Sequence, residues 1–369
     1  MDELIFRFRK LSVDQAPPAS NIGSYGHVVD ELISYYKPFA IYTDFGSEDI
    51  DYICNLSVRY AYSTLGFKGQ DSVAVKAFAL WLSLVWLIDG FFDGRKSQTS
   101  ADMNALIDIF LLEDAPESRD QLAPIFEITI SLYDRYLDFI APYYANNLFA
   151  FYEITYWLIC YLKTLITSTT PRGTHKKSNS DGTPRSYERG MNVIDYSKWR
   201  LDSGAMMCVV WHIMLFNGLA PNIDVFGDVF ETASIIVSFH NDIISYNRDL
   251  QQRTPNLVTS MKDEDDDDFS AMIKAVSVVN SLYTKVAKDV EELASSEKKE
   301  PDQMLICSIV LDILEGSYSW AYAEPKYAPG IKMLKALMET DKKTFYSILF
   351  GVNQTPGDPK KKIRLRTRE

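Results

Sequence analysis

Ten long stretches of the chain repeat their apolar residues with the period of an α-helix, and almost none repeat them with the period of a strand. They are Val28–Tyr36, Ser47–Leu65, Ser72–Ile88, Ser100–Leu112, Ser118–Ile140, Asn146–Ile166, Val193–Phe216, Val225–Asp249, Phe269–Leu293 and Gln303–Ala323. Each places apolar side chains three and four residues apart, the pattern of a helix with one buried face. Alternation of apolar and polar residues between Asn-Gly or Asp-Gly turns, the signature of hairpins, is nearly absent. A chain so patterned has to bury helix against helix, so it predicts an all-α fold, one bundle of ten or more helices.

The 369 residues and their 47% hydrophobic content suit one large domain. Pro17, Pro18 and Gly23 break up an irregular segment over 1–25, with Gly26 at its edge, the bundle is expected over 26–350, and 351–369 reads as a flexible basic tail. Thr167–Ser186, rich in Pro, Gly, Ser and Thr, is long for a connection inside a compact domain and predicts a lid or a disordered loop. Asp263–Asp268 is an acidic run, expected to be a solvated loop.

A net charge of −12 argues against a nucleic-acid partner, although a divalent cation can bring an anionic substrate to an acidic chain. Cys54, Cys160, Cys208 and Cys307 are scattered, as in a cytoplasmic protein with reduced thiols. MDELIFRFRK lacks the apolar core of a signal peptide. Ala77–Ile88 is too short for a membrane span, so no transmembrane segment is expected.

The chemistry concentrates in Asn241-Asp242-Ile243-Ile244-Ser245-Tyr246-Asn247-Arg248-Asp249. An amide, a hydroxyl and a carboxylate at i, i+4 and i+8 drift only about 40° per step around a helix, so Asn241, Ser245 and Asp249 share one face. Neutral and anionic oxygens of this kind suit a hard cation such as Mg²⁺, with water and phosphate filling the remaining positions. Arg248, beside the last of them, is a cation for the same phosphate.

Three further segments join it. Asp89-Gly90-Phe91-Phe92-Asp93 follows a very apolar helix and sets two carboxylates on one face, the arrangement of a metal site and equally of an ordinary solvated helix end. Arg200-Leu201-Asp202-Ser203-Gly204 puts an arginine in an apolar helix, where it needs an anionic partner, which a structural acid also satisfies. Gly204 one turn later weakens the helix. Trp320-Ala-Tyr-Ala-Glu-Pro325-Lys326-Tyr327 ends a helix before proline and leaves a cation and a phenol just beyond it.

In this order and spacing the four segments resemble the class I terpene synthase family, over about residues 30–350, in its single-α-domain, microbial or coral-like type. NDIISYNRD looks like the family's Asn-Ser-Asp/Glu metal triad, DGFFD its aspartate-rich motif, RLDSG its sensor–linker–effector, and WAYAEPKY its C-terminal Arg-Tyr motif. Gly90 stands where the family has a second acid, and Lys326 where it has arginine, giving a point charge in place of a two-pronged fork.

The resemblance implies an α-bundle around a central cavity and three Mg²⁺ ions, with Mn²⁺ as a substitute. Asp89 and Asp93 would hold two ions, and Asn241, Ser245 and Asp249 the third. Arg200, Asn241, Arg248, Lys326 and Tyr327 would grip the diphosphate, while Ser203 and Gly204 relay that contact to the reacting carbons. Trp86, Phe92 and Trp320, with Phe239, are expected to face the cavity, although each also suits ordinary core; His240 is expected to be a satisfied core histidine. The implied reaction is ionisation and cyclisation of geranylgeranyl or farnesyl diphosphate, with a lean towards the longer chain, in a monomer or homodimer. The Thr167–Ser186 loop and the chain after Tyr327 are the candidate lids. A chain-elongating prenyltransferase is the nearest alternative, but its second motif carries carboxylates only. A non-catalytic isoprenoid-binding protein is the alternative of another class.

Overall fold

The structure, a computed structural model, describes residues 26–39, 47–65, 72–94, 100–111, 124–145, 147–169, 193–252, 254–263, 265–296 and 302–350. The helices are α1 Gly26–Tyr36, α2 Ser47–Thr64, α3 Ser72–Gly94, α4 Ser100–Phe110, α5 Pro124–Tyr144, α6 Leu148–Thr169, α7 Val193–Ser203, α8 Met206–Phe216, α9 Ile223–Gln252, α10 Leu257–Ser260, α11 Asp268–Ser295, α12 Gln303–Ala323, α13 Ala328–Met338 and α14 Lys342–Phe350. Short 3₁₀ turns occupy Lys37–Phe39 and Pro325–Tyr327. No strand is present among the described residues.

The 30-residue α9 is the hub. It packs against α7 and α8 on one side, α11 and α12 on another, and α13 beyond its Ile243–Ile244 segment. The remaining wall is α2 against α3 and α12, with α6 against α8. Every residue of α8 is buried, which explains why its pattern is apolar all round rather than on one face.

Several boundaries depart from expectation. Val193–Phe216 is two helices, broken at Gly204 and at Ala205, whose φ of 53° is left-handed. The apolar helix α3 does not end at Ile88 but continues through the aspartate-rich segment to Gly94. Windows within α3 and α12, Ser72–Gly90 and Gln303–Ala323, are long and apolar enough to cross a membrane, yet 72% of each is buried inside the bundle, where they serve as core helices. The chain from Ala328 to Phe350 is no loose lid: α13 and α14 pack on each other and on α9. Pro329 and Gly330 disguise the start of α13 in the sequence, but proline is tolerated in a first turn, whose N–H groups have no partner within the helix. Of the expected loop Thr167–Ser186, residues beyond Thr169 lie outside the described residues, as do 1–25 and the basic tail.

The described part of the acidic run before α11 is a surface loop, as expected, and hydrogen bonds and ion pairs tie it to α11. Asp267 caps α11 by accepting from the Ser270 N–H at 2.8 Å, and Lys274 bridges Asp263 and Asp266 at 2.5 and 2.6 Å. All four cysteines are free.

Gly330 lets α13 reach α9. A Cβ added there would lie 1.7 Å from the carbonyl oxygen of Ile244, backbone that cannot move aside. Gly330→Ala is therefore expected to lose about 1–3 kcal/mol or more in urea unfolding. Gly227→Ala, inside α9 with only ordinary contacts at 3.6 Å from Ile223, is expected to gain about 0.5–1 kcal/mol.

Candidate active site

Helices α2, α3, α6, α7, α8, α9 and α12 and the turn after α12 enclose a cavity of about 560 Å³. Part of its wall is apolar: Leu56, Leu82, Val85, Leu165, Val209 and Val237, with the rings of Tyr60, Trp81, Trp86, Trp199 and Trp320. The rest carries charge: Asp89, Arg200, Asn241, Asp242, Arg248, Asp249 and Lys326, with Tyr327. Three of the segments singled out in sequence thus meet at one cavity with the described part of the fourth. A second depression of about 730 Å³, along α5 at Glu127–Phe139, contains no residue from any of them.

On α9 the predicted face forms, but its three oxygens differ in exposure. Asn241 and Asp249 line the cavity, whereas Ser245 sits behind them and donates its hydroxyl proton to Asp249 Oδ2. That oxygen also accepts from Asn256 Nδ2 at 2.9 Å, while Arg248 donates to Oδ1 through Nε and Nη2, both at 3.1 Å. Asn241 Nδ2 donates to the Tyr327 phenol at 2.7 Å, and its Oδ1 accepts from Arg200 Nη2 at 3.4 Å. The Tyr327 phenol is pushed up to about 12 by burial, so it remains protonated at neutral pH.

Arg200 finds its anion in Asp242, at 2.9 Å from Nη2 and 3.1 Å from Nε. The other Asp242 oxygen accepts from the Tyr196 phenol at 2.7 Å and the Leu257 N–H at 3.3 Å. Burial pushes Asp242 up to about 6, against the pull of Arg200. For Arg200, burial opposes the charge, but Asp242 and neighbouring groups outweigh it and raise its pKa. The structural acid and the cavity-facing role are thus combined in one arginine.

Across the cavity, Asp89 Oδ1 accepts from the Tyr161 phenol at 2.7 Å. Trp86 and Trp320 stack with centroids 6.0 Å apart, and Tyr60 stands edge-on to Trp320 at 4.9 Å. The Lys326 ammonium lies over Tyr327 at 4.9 Å, Trp320 at 5.4 Å and Trp86 at 5.9 Å. Burial and the charge of Arg248 bring Lys326 down to about 8, with Glu324 and Asp89 opposing.

At the α7–α8 break, Ser203 and Gly204 line the cavity. A Cβ on Gly204 would lie 2.3 Å from Ser238 Oγ and 2.9 Å from the Arg200 carbonyl, so only glycine fits. The buried hydroxyls of Ser203 and Ser238 have no hydrogen-bond partner among the described residues.

Two expectations change. Phe239 is not at the cavity; it is core, stacked on Tyr196 with centroids 5.9 Å apart. His240 is core, but its Nε2 lacks a hydrogen-bond partner among the described residues, and burial holds its pKa down to about 3. Phe92 and Asp93 belong to the last turn of α3, where the side chains lie outside the described residues. Tyr60, Trp81, Tyr161, Trp199, Asp242 and Asn256 escaped the sequence reading. Asp242 alone carried a usable signal, as an acid inside the metal segment one residue from a predicted ligand.

The Arg200–Asp242 pair yields a stability prediction. Asp242→Leu strands a buried guanidinium and is expected to cost about 3–5 kcal/mol in urea unfolding, and adding Arg200→Met is expected to recover part of that loss.

Residues 184–288 match a family model described as terpene synthase family 2, C-terminal metal binding. That span contains Arg200, Gly204 and all of Asn241–Asp249. No curated protein sequence matches the chain. Solved structures do. Linalool/nerolidol synthase from Streptomyces clavuligerus, in complex with 2-fluorogeranyl diphosphate, aligns over 84% of this chain and 97% of its own, at 14% identity and a TM-score of 0.59. Germacradien-4-ol synthase from Streptomyces citricolor aligns over 85% and 98%, at 14% identity and a TM-score of 0.60. 2-Methylisoborneol synthase from Streptomyces coelicolor A3(2), in complex with Mg²⁺ and geranyl-S-thiolodiphosphate, aligns over 84% and 94%, at 13% identity and a TM-score of 0.62. The chain thus shares the all-α fold of these enzymes, and its residues 184–288 match the C-terminal metal-binding region of terpene synthase family 2.

Proposed function

We propose that the chain is a class I terpene synthase, which ionises an acyclic isoprenyl diphosphate, geranylgeranyl or farnesyl, and cyclises the resulting allylic cation to a diterpene or sesquiterpene. The observation that carries the reading is the double character of one cavity: an oxygen-and-cation cluster and an aromatic, apolar wall share it.

The donor set fits divalent metal. Among the described residues no three His, Cys, Asp or Glu side chains cluster, so a soft or imidazole-rich site is not offered. The donors present are an amide, a hydroxyl and carboxylates, which suit Mg²⁺ or Mn²⁺. Asn241, Ser245 and Asp249 would hold one ion, and Asp89 with Asp93 two more. Bound metal supplies Lewis-acid stabilisation of the departing diphosphate.

Arg200, Arg248, Lys326 and Tyr327 would hold the diphosphate by charge and hydrogen bonding. Arg200 is suited to this because Asp242 and the Asn241 amide oxygen already fix its guanidinium, so little reorganises during ionisation. Ser203 and Gly204, one turn from Arg200, would turn that contact towards the reacting carbons. Trp86 and Trp320 stabilise positive charge, each face contributing about 0.5–2 kcal/mol. Support comes from Lys326, whose ammonium already lies over both rings. No histidine lines the cavity among the described residues, so the released diphosphate takes the final proton.

Purified protein incubated with Mg²⁺ and geranyl, farnesyl or geranylgeranyl diphosphate is expected to release a cyclic hydrocarbon or alcohol, read by mass spectrometry. A longer diphosphate would mark a prenyltransferase instead, and binding without turnover an isoprenoid-binding protein. Chelation with EDTA is expected to stop turnover, and Mg²⁺ or Mn²⁺ to restore it. Asn241→Ala with Ser245→Ala is expected to lower kcat by roughly 100-fold or more. Full turnover in that double variant would remove the triad from the metal site.

A further inference from the structure

Lys326 and Tyr327 occupy a three-residue 3₁₀ turn, too short to hold its own orientation, so something outside it must. Glu324, directly before this turn, has a side chain only 1% exposed and does not line the cavity. Its Oε1 lies 2.9 Å from Nη1 of Arg59 on α2, an ion pair without the alignment of a hydrogen bond. The second prong of the same guanidinium, Nη2, donates to the Ala323 carbonyl at 3.4 Å, at the C-terminal end of α12. One arginine from a distant helix therefore caps α12 and holds the carboxylate that begins the turn. The Glu324 carbonyl in turn accepts from the Tyr327 N–H at 3.0 Å, which closes the turn on the anchored residue.

We propose that Arg59 and Glu324 are positioning residues, which hold the Lys326–Tyr327 turn at the cavity wall while touching neither substrate nor metal. This rests on the reading of Lys326 and Tyr327 as diphosphate ligands. A buried carboxylate next to the turn also has an electrostatic consequence. The charged groups facing Lys326 are Arg248 from α9, Asp89 from α3 and Glu324 itself, with Arg59 of α2 behind Glu324. Glu324 and Asp89 favour the protonated amine, and burial and Arg248 oppose it. Neutralising Glu324 removes one of the two groups that keep Lys326 charged, so Lys326 then loses its proton at a lower pH.

The test is steady-state kinetics across pH with Mg²⁺ and whichever isoprenyl diphosphate is turned over, with thermal melts to confirm folding. Glu324→Gln is expected to lower kcat/KM by about ten- to a hundredfold and to move its alkaline limb to lower pH. In a Lys326→Arg background, where the side chain no longer titrates in this range, Glu324→Gln is expected to leave the limb in place. Arg59→Met is expected to lower kcat/KM like Glu324→Gln, and Arg59→Lys, which keeps the charge but loses the two-pronged reach, is expected to fall between Arg59→Met and the parent. If Glu324→Gln does not fold, Arg59→Met and Arg59→Lys decide by the same loss of kcat/KM. Unchanged kcat/KM and limb in Glu324→Gln and Arg59→Met, beside a large loss in Lys326→Met, would overturn the positioning role alone. An equal limb shift in the Lys326→Arg background would overturn it too. Unchanged kinetics in Lys326→Met would overturn the diphosphate reading itself.

Discussion

The buried pair of Arg200 and Asp242 is the interaction around which the site is built. Neither charge is tolerable alone in a helical core, and each is satisfied only because α7 and α9 cross at this point. Asp242 spends its second oxygen on Tyr196 and on the N–H of Leu257, at the start of α10. Its own carbonyl accepts from Asn256 at 2.7 Å, and Asn256 also reaches Asp249. The pair thereby ties the two ends of the Asn241–Asp249 segment to the turn that follows α9. The adjacent Asn241 lines the same cavity and is tied to the pair through Arg200, which donates to its amide oxygen at 3.4 Å.

The opposite wall adds aromatic surface to the countercharge of Asp89 and Glu324. Lys326 shares the cavity with Arg200 and Arg248, and its nearest neighbours are the faces of Trp86, Trp320 and Tyr327. Rings attract a cation without neutralising it, so the positive potential facing an anionic substrate is retained. The same surface, being uncharged, is compatible with an apolar chain. One wall is thus compatible with both an anionic group and an apolar one.

The break between α7 and α8 is the second constraint. A continuous helix from Val193 to Phe216 would carry the apolar pattern equally well, which is why periodicity predicted one. Packing forbids it: Gly204 lies against Ser238 with no room for a Cβ, and the left-handed turn at Ala205 sends the fully buried α8 into the core. Backbone at the break therefore borders the cavity beside Arg200.

What the sequence determined by itself was everything that depends on local spacing. Helical period required an all-α bundle, and offsets of four residues placed Asn241, Ser245 and Asp249 on one face of α9. The mixture of amide, hydroxyl and acid there carried the resemblance to a cyclase-type motif rather than an all-carboxylate one. Tertiary structure decided what depends on residues far apart in the chain. It put Ser245 behind Asp249 rather than at the surface, paired Arg200 with Asp242, set Tyr161 on Asp89, and sent Phe239 into the core. It also brought Arg59, which no motif contains, against Glu324. The physical reason is that burial and charge pairing are set by which helices cross, and helical periodicity shows that a face is buried without showing what it meets.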